Sequence, residues 1–134
     1  MGDFRVVKID DIEAIVGGTF RRARAALNVE SLGLQVLDLP PNVTRYPEHD
    51  HSEDGQEEVY IVMRGSGEIE IDGERYPLEP DTLVSLKPGT RRKLWPGDDG
   101  MRIVAIGGKP GSAYEKKSFT ELGAEDPFAR LAKQ

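Results

Sequence analysis

Glu68-Ile-Glu-Ile-Asp-Gly-Glu-Arg-Tyr76 consists of two alternating runs on either side of Asp72-Gly73. Alternation of apolar and polar residues is the mark of a strand with one buried face. Asp-Gly is the pair a type I′ turn prefers, because both of its central residues take positive φ. The stretch therefore predicts a tight β-hairpin. Downstream, Glu79-Pro-Asp81, Lys87-Pro-Gly89 and Pro96-Gly-Asp-Asp-Gly100 read as turns between strands at Thr82–Leu86, Arg91–Trp95 and Arg102–Ile106. Upstream, strands are expected at Arg5–Ile9, Phe20–Ala26, Leu32–Leu39, Val43–His51 and Glu58–Arg64, with Gly67–Ile71 and Glu74–Leu78 forming the hairpin itself. Short strands at close, regular spacing indicate a sandwich or barrel rather than βαβ units.

Helical patterning is scarce. Asp10–Ile15 suits one short helical turn. Asp126–Gln134 suits a peripheral C-terminal helix, with Asp126 as N-cap and Pro127 at the first helical position. The 134 residues fit one all-β domain, residues 1–134, with its core at about 32–106. The tail from Gly107 is Gly-rich and then polar, and is expected to pack outside that core.

Composition narrows the chemistry. Without cysteine there are no disulfides, thiolate metal sites or thiol nucleophiles, so a metal must be held by nitrogen and oxygen. The net charge of −6 argues against a nucleic-acid backbone as partner. No run is long and apolar enough for a membrane helix, and Met1–Ile9 lacks the apolar segment of a signal peptide, so no membrane partner and a cytoplasmic location are expected. The basic cluster Arg21-Arg22-Ala-Arg24 reads as a solvated strand or loop face.

Both histidines of the chain lie in His49-Asp-His51. On a strand, residues two apart share a face, so both imidazoles would enter one space. A polar turn, Ser52-Glu-Asp-Gly-Gln56, returns the chain into Glu57-Glu58-Val-Tyr-Ile-Val, which brings a carboxylate alongside. Two histidines and a carboxylate form the facial set that binds divalent transition metals with open positions. The competing reading is a solvated acidic loop, since Glu48–Glu58 also holds Asp50, Glu53, Asp54 and Glu57.

At these residues the chain resembles the cupin superfamily. His49-x-His51, then Glu58, then Gly65 six residues beyond the glutamate, is similar to the first cupin motif, and Leu78–Arg92 resembles the second. The resemblance implies a double-stranded β-helix (jelly-roll) barrel with short peripheral helices and a small-molecule site in its mouth. It further implies His49, His51 and Glu58 as ligands to iron, manganese, nickel or zinc, and a homodimer as the default assembly. Three departures bear on the site. The loop from His51 to Glu58 is long, which makes Gln56 a competing ligand or a substrate contact. Glu57 shares strand parity with Val59 and Ile61 and competes with Glu58 for the inward position. Most importantly, Arg92 stands where the second motif carries a histidine, and a guanidinium has no lone pair for a metal. Arg92 is therefore expected either to pair with Glu58, replacing the metal by an ion pair and leaving a cation to grip an anionic ligand, with Tyr60 contributing a hydrogen bond, or to turn aside and leave a three-ligand metal site. Two functions follow: a metal-dependent enzyme, or a non-catalytic cupin that binds a small anion through Arg92 without metal.

Overall fold

The computed structural model describes residues 3–128. Its strands are β1 (Ala14–Ile15), β2 (Phe20–Arg21), β3 (Gly33–Leu39), β4 (Glu57–Ile71), β5 (Glu74–Leu78), β6 (Leu83–Leu86) and β7 (Arg92–Gly108). A short helix, α1 (Ala23–Leu27), follows β2. All pairings are antiparallel, in the order β1-β2-β3-β7-β4-β5, with β6 also on β4. This is the all-β barrel expected from the turn spacing. Among the described residues no helix is long and apolar enough to cross a membrane.

The two long strands shape the barrel. The first half of β4 pairs with β6 and with the end of β7, and its second half pairs with β5 and the start of β7. Between the halves the register slips at Val62/Arg64 and again at Gly65/Gly67. Such irregularities bend a strand and strengthen its twist, which lets one ladder wrap around a core. Inward residues of both halves bury Tyr60, Val62, Ile69, Leu94 and Ile103 almost completely. Each such side chain contributes roughly 1.5–3 kcal/mol on burial.

The hairpin forms as expected, with Asp72 at φ 53° and Gly73 at φ 82°. Other expectations are corrected. Two predicted strands, Glu58–Arg64 and Gly67–Ile71, are one strand, β4, and the same holds for Arg91–Trp95 and Arg102–Ile106 in β7. Arg5–Ile9 forms no strand; a 3₁₀ turn spans Ile9–Asp11 and the chain then enters β1. Only Phe20–Arg21 of the predicted strand Phe20–Ala26 is extended, because Ala, Arg and Leu are strong helix formers and Asn28 closes the helix in the left-handed region at φ 57°. Val43–His51 is no strand either; a single bridge joins His49 to Arg92. Pro127-Phe128 forms a turn, and the rest of the expected C-terminal helix, 129–134, lies outside the described residues.

The basic cluster is not a solvated face. Arg22 and Arg24 are 1% and 3% exposed. Arg22 donates to the carbonyls of Phe119 and Ala124, both at 2.8 Å, and Arg24 pairs with Glu121 at 2.8 Å. These two cations fasten the tail across the barrel mouth. Arg21 serves the opposite side, pairing with Asp38 at 2.6 Å; Arg102 joins Asp38 to Asp10.

Gly65 marks where β4 bends. Its φ is 78°, and an added Cβ would stand 2.0 Å from the Gly100 carbonyl oxygen. Gly73 has similar φ but open space around it. Gly65→Ala is therefore expected to cost more than about 2 kcal/mol, and Gly73→Ala about 1 kcal/mol. Chemical denaturation of the two variants checks the order; equal losses would mean that β4 does not depend on backbone approach at Gly65.

Candidate metal centre

The inward face of β4 carries Glu58, Tyr60 and Val62, all buried, while Val59, Ile61 and Met63 face outward. Glu57 points away and pairs with Lys87 at 3.0 Å. His49 is held beside β7 by paired backbone bonds: its N–H donates to the Arg92 carbonyl at 3.0 Å and its carbonyl accepts from Arg92 N at 2.9 Å. His51 N–H donates to the Pro88 carbonyl at 2.8 Å. These backbone bonds, rather than strand pleating, bring the two rings to one side, with centroids 5.3 Å apart. Ligating atoms of His49, His51 and Glu58 then lie within 4.8 Å of one another.

Each ring has one nitrogen already engaged. His49 Nδ1 lies 3.1 Å from the Pro47 carbonyl oxygen, and an N–H there donates to it. His51 Nδ1 lies 3.0 Å from an Asp54 carboxylate oxygen. Acceptors behind Nδ1 place the lone pair on Nε2, the arrangement of metal-binding histidines. His51 Nε2 is buried with no hydrogen-bond partner among the described residues. Glu58 Oε1 stands 3.2 Å from it but off the hydrogen-bonding direction. A divalent ion would satisfy this orphaned nitrogen, so the donor set fits a transition metal bound through nitrogen and oxygen.

Glu58 Oε1 is the centre of a small buried network. Arg92 Nη2 donates to it at 2.5 Å and the Tyr60 hydroxyl donates to it at 3.2 Å. Arg92 is fully enclosed: Nη1 donates to the Thr90 carbonyl at 2.7 Å, and Nε lies 3.5 Å from the Tyr60 oxygen. The guanidinium thus sits behind the carboxylate, and Arg92 is not on the wall of the cavity described below. Of the two arrangements left open by the sequence, Arg92 turns inward and pairs with Glu58.

Titration behaviour follows from these contacts. Burial pushes the Glu58 carboxyl up, but His51 and Arg92 beside it outweigh that and hold its pKa below the ordinary value. Burial lowers the pKa of His49, keeping it a neutral ligand. The Glu58 carboxylate, and then Asp54 against the effect of burial, raise the pKa of His51. A metal must displace that proton, so its affinity rises with pH.

The site opens into a cavity of about 870 Å³. Gln56 and Tyr60 line it, but the hydroxyl of Tyr60 is already committed to Glu58. Tyr114, Lys117, Phe119 and Phe128 of the tail also line it. The tail therefore contributes to the site and is not merely packed outside the core. Sequence reasoning missed this, together with the support that Asp54 gives His51. The signal for Asp54 was present: its carboxylate accepts from Gln56 N at 3.1 Å, an Asx turn readable in Asp54-Gly-Gln56.

With the geometry established, comparison with known proteins agrees. A family model described as cupin domain matches residues 35–107, more than half of the chain, and the chain belongs to that family. Its fold is similar to that of a cupin protein from Bacteroides fragilis, with TM-score 0.68, 21% identity, and coverage of 93% of this chain and 99% of that one. A Cupin 2 conserved barrel domain protein from Salinispora arenicola matches with TM-score 0.57 and 19% identity over 82% of this chain and 91% of that one. KdgF from Halomonas sp. matches with TM-score 0.53 and 15% identity over 79% and 86%. No curated protein matches in sequence.

Asp54 provides the test of this geometry. Burial raises its carboxyl pKa, but hydrogen bonds from Lys117, then His51 and Gln56, bring it down to about 2. A depressed folded-state pKa gives stability that is present above the unfolded value and lost as pH falls through the folded one. Its part, on the order of 2 kcal/mol, should therefore vanish between about pH 4 and pH 2 in wild type and be missing throughout in Asp54→Asn. The same variant should bind zinc roughly 10- to 100-fold more weakly, because the tautomer of His51 loses its support. Denaturation across pH and zinc titration read the two effects; an unaltered zinc affinity would detach Asp54 from the site.

Proposed function

We propose that this cupin binds a small molecule in its barrel mouth at a divalent transition metal centre held by His49, His51 and Glu58. The observation that carries the reading is the convergence of ligating atoms of His49, His51 and Glu58 within 4.8 Å of one another while both Nδ1 atoms are engaged elsewhere. Iron, manganese, nickel and zinc all suit such donors. When bound, the ion supplies Lewis acidity at open coordination positions. The protein's own part is to hold the donors in place. Asp54 and the Pro47 carbonyl fix the imidazoles, Arg92 and Tyr60 fix the carboxylate, and Lys117 ties Asp54 to the tail at 2.5 Å.

Arg92 has a second consequence. It neutralises Glu58, so the three-ligand set carries almost no net negative charge before the metal arrives. A positive charge this close opposes a divalent ion even at the high effective dielectric of proteins. The site is therefore a weaker metal binder than one with histidine at position 92. The alternative, metal-free binding of an anion through Arg92, would require the guanidinium to leave Glu58, Thr90 and Tyr60, and the burial of Arg92 weighs against it.

Elemental analysis of untagged protein, purified without a metal column and dialysed against zinc, should find one zinc ion per chain. His51→Ala should abolish that occupancy, and Arg92→His should raise zinc affinity at least about tenfold. Sub-stoichiometric content of every transition metal, together with no gain in Arg92→His, would reject the metal centre.

A homodimer belongs to the same proposal. Its support is the outward Met63 and Leu83, 45% and 69% exposed on neighbouring strands. Light scattering should give twice the chain mass; a monomer at high concentration would remove this part.

A further inference from the structure

We propose that the cavity selects a neutral, ring-bearing apolar molecule rather than a charged metabolite. The assignment rests on the mouth of the barrel being the ligand site, but not on the metal. Three chain segments bring one phenylalanine each to the cavity wall: Phe20 from β2, and Phe119 and Phe128 from the tail. Phe119 is at the centre, with ring centroids 5.5 Å from Phe20 at a tilt of 51° and 5.4 Å from Phe128 at 90°. Edge-to-face and tilted clusters of this kind offer further ring faces and edges to an aromatic guest. Leu37 and Leu39 continue the apolar wall inward from β3.

The charges of the wall point the same way. An anion of the phosphate or dicarboxylate kind needs a desolvated cation with free donors. Arg92, the buried cation nearest the site, is enclosed and fully engaged. Of the cations on the wall, Arg91 is taken by Glu48 at 2.5 Å and Lys117 by Asp54 at 2.5 Å. Arg45 is exposed at the rim, where its charge is screened by water. Against these stand Asp50, Glu53, Asp54 and Glu58 on the same wall. Without a bound metal, each cation of the wall is therefore engaged by a carboxylate or screened at the rim, and an anion finds no desolvated cation with free donors. The cavity's volume of about 870 Å³ lies within the roughly 300–1,000 Å³ common for small-molecule pockets.

The test compares 2-naphthol with glucose 6-phosphate by amide chemical-shift titration, using protein with and without zinc. 2-Naphthol is expected to bind at least about tenfold more tightly and to move the amides of Phe20, Leu37 and Phe119. Phe119→Ala should weaken it roughly three- to tenfold. Phe119→Leu, which keeps apolar bulk without the ring, should fall between the two, and both variants retain the backbone carbonyl that Arg22 holds. Glucose 6-phosphate binding as tightly as 2-naphthol would overturn the proposal. So would 2-naphthol affinity equal in wild type and both Phe119 variants. Naphthol binding by zinc-free protein would support this inference; failure of wild-type protein to take up zinc in the same titration would end the metal reading and leave this one standing.

Discussion

A single buried carboxylate organises this molecule. Glu58 is held at 5% exposure inside an apolar barrel, where an unpaired charge would cost several kcal/mol. It is tolerated because Arg92, Tyr60 and His51 converge on it. Arg92 in turn links the start of β7 to the His49 loop through paired backbone bonds. The ion pair thus ties β4, β7 and the His49–His51 loop together at the place where chemistry is expected. Replacing such a pair with apolar side chains is often neutral for stability, whereas removing one partner is not. Stability alone therefore does not explain the pair. A carboxylate kept ionised beside two imidazoles does.

The same logic explains the departure from the family's pattern at position 92. A histidine there would add a fourth donor. The arginine adds a fixed positive charge behind the carboxylate and uses up its own donors in doing so. The centre becomes electrically balanced without a metal. Weaker metal affinity is the expected result of that substitution, whereas the selectivity proposed for an uncharged guest rests on the residues of the wall.

How far the sequence could be read depended on the range of the interaction. The hairpin at Asp72-Gly73 and the pair His49 and His51 rest on turn chemistry and spacing within a few residues and were legible, whereas Glu58 was singled out by resemblance to the first cupin motif. The face of Glu58 became plain only once Val59, Ile61 and Met63 were seen to point outward. The strand assigned to Val43–His51 failed because backbone bonds to Arg92 and Pro88, far along the chain, position those rings. The role of Arg22 was hidden for the same reason, its partners Phe119 and Ala124 lying 97 and 102 residues away. In α1, the local signal of Arg22-Ala-Arg-Ala-Ala-Leu27 was available and was outweighed by the strand pattern on either side.

The central claim is that both imidazoles present a bare Nε2 to one space beside Glu58. With only two histidines in the chain, long-range nitrogen–proton correlation of the imidazoles reads it without ambiguity. In zinc-free protein at alkaline pH, both rings should be Nδ1–H tautomers, and added zinc should shift both Nε2 resonances together. An Nε2–H tautomer at either ring, or zinc that moves one ring and leaves the other unchanged, would contradict the account.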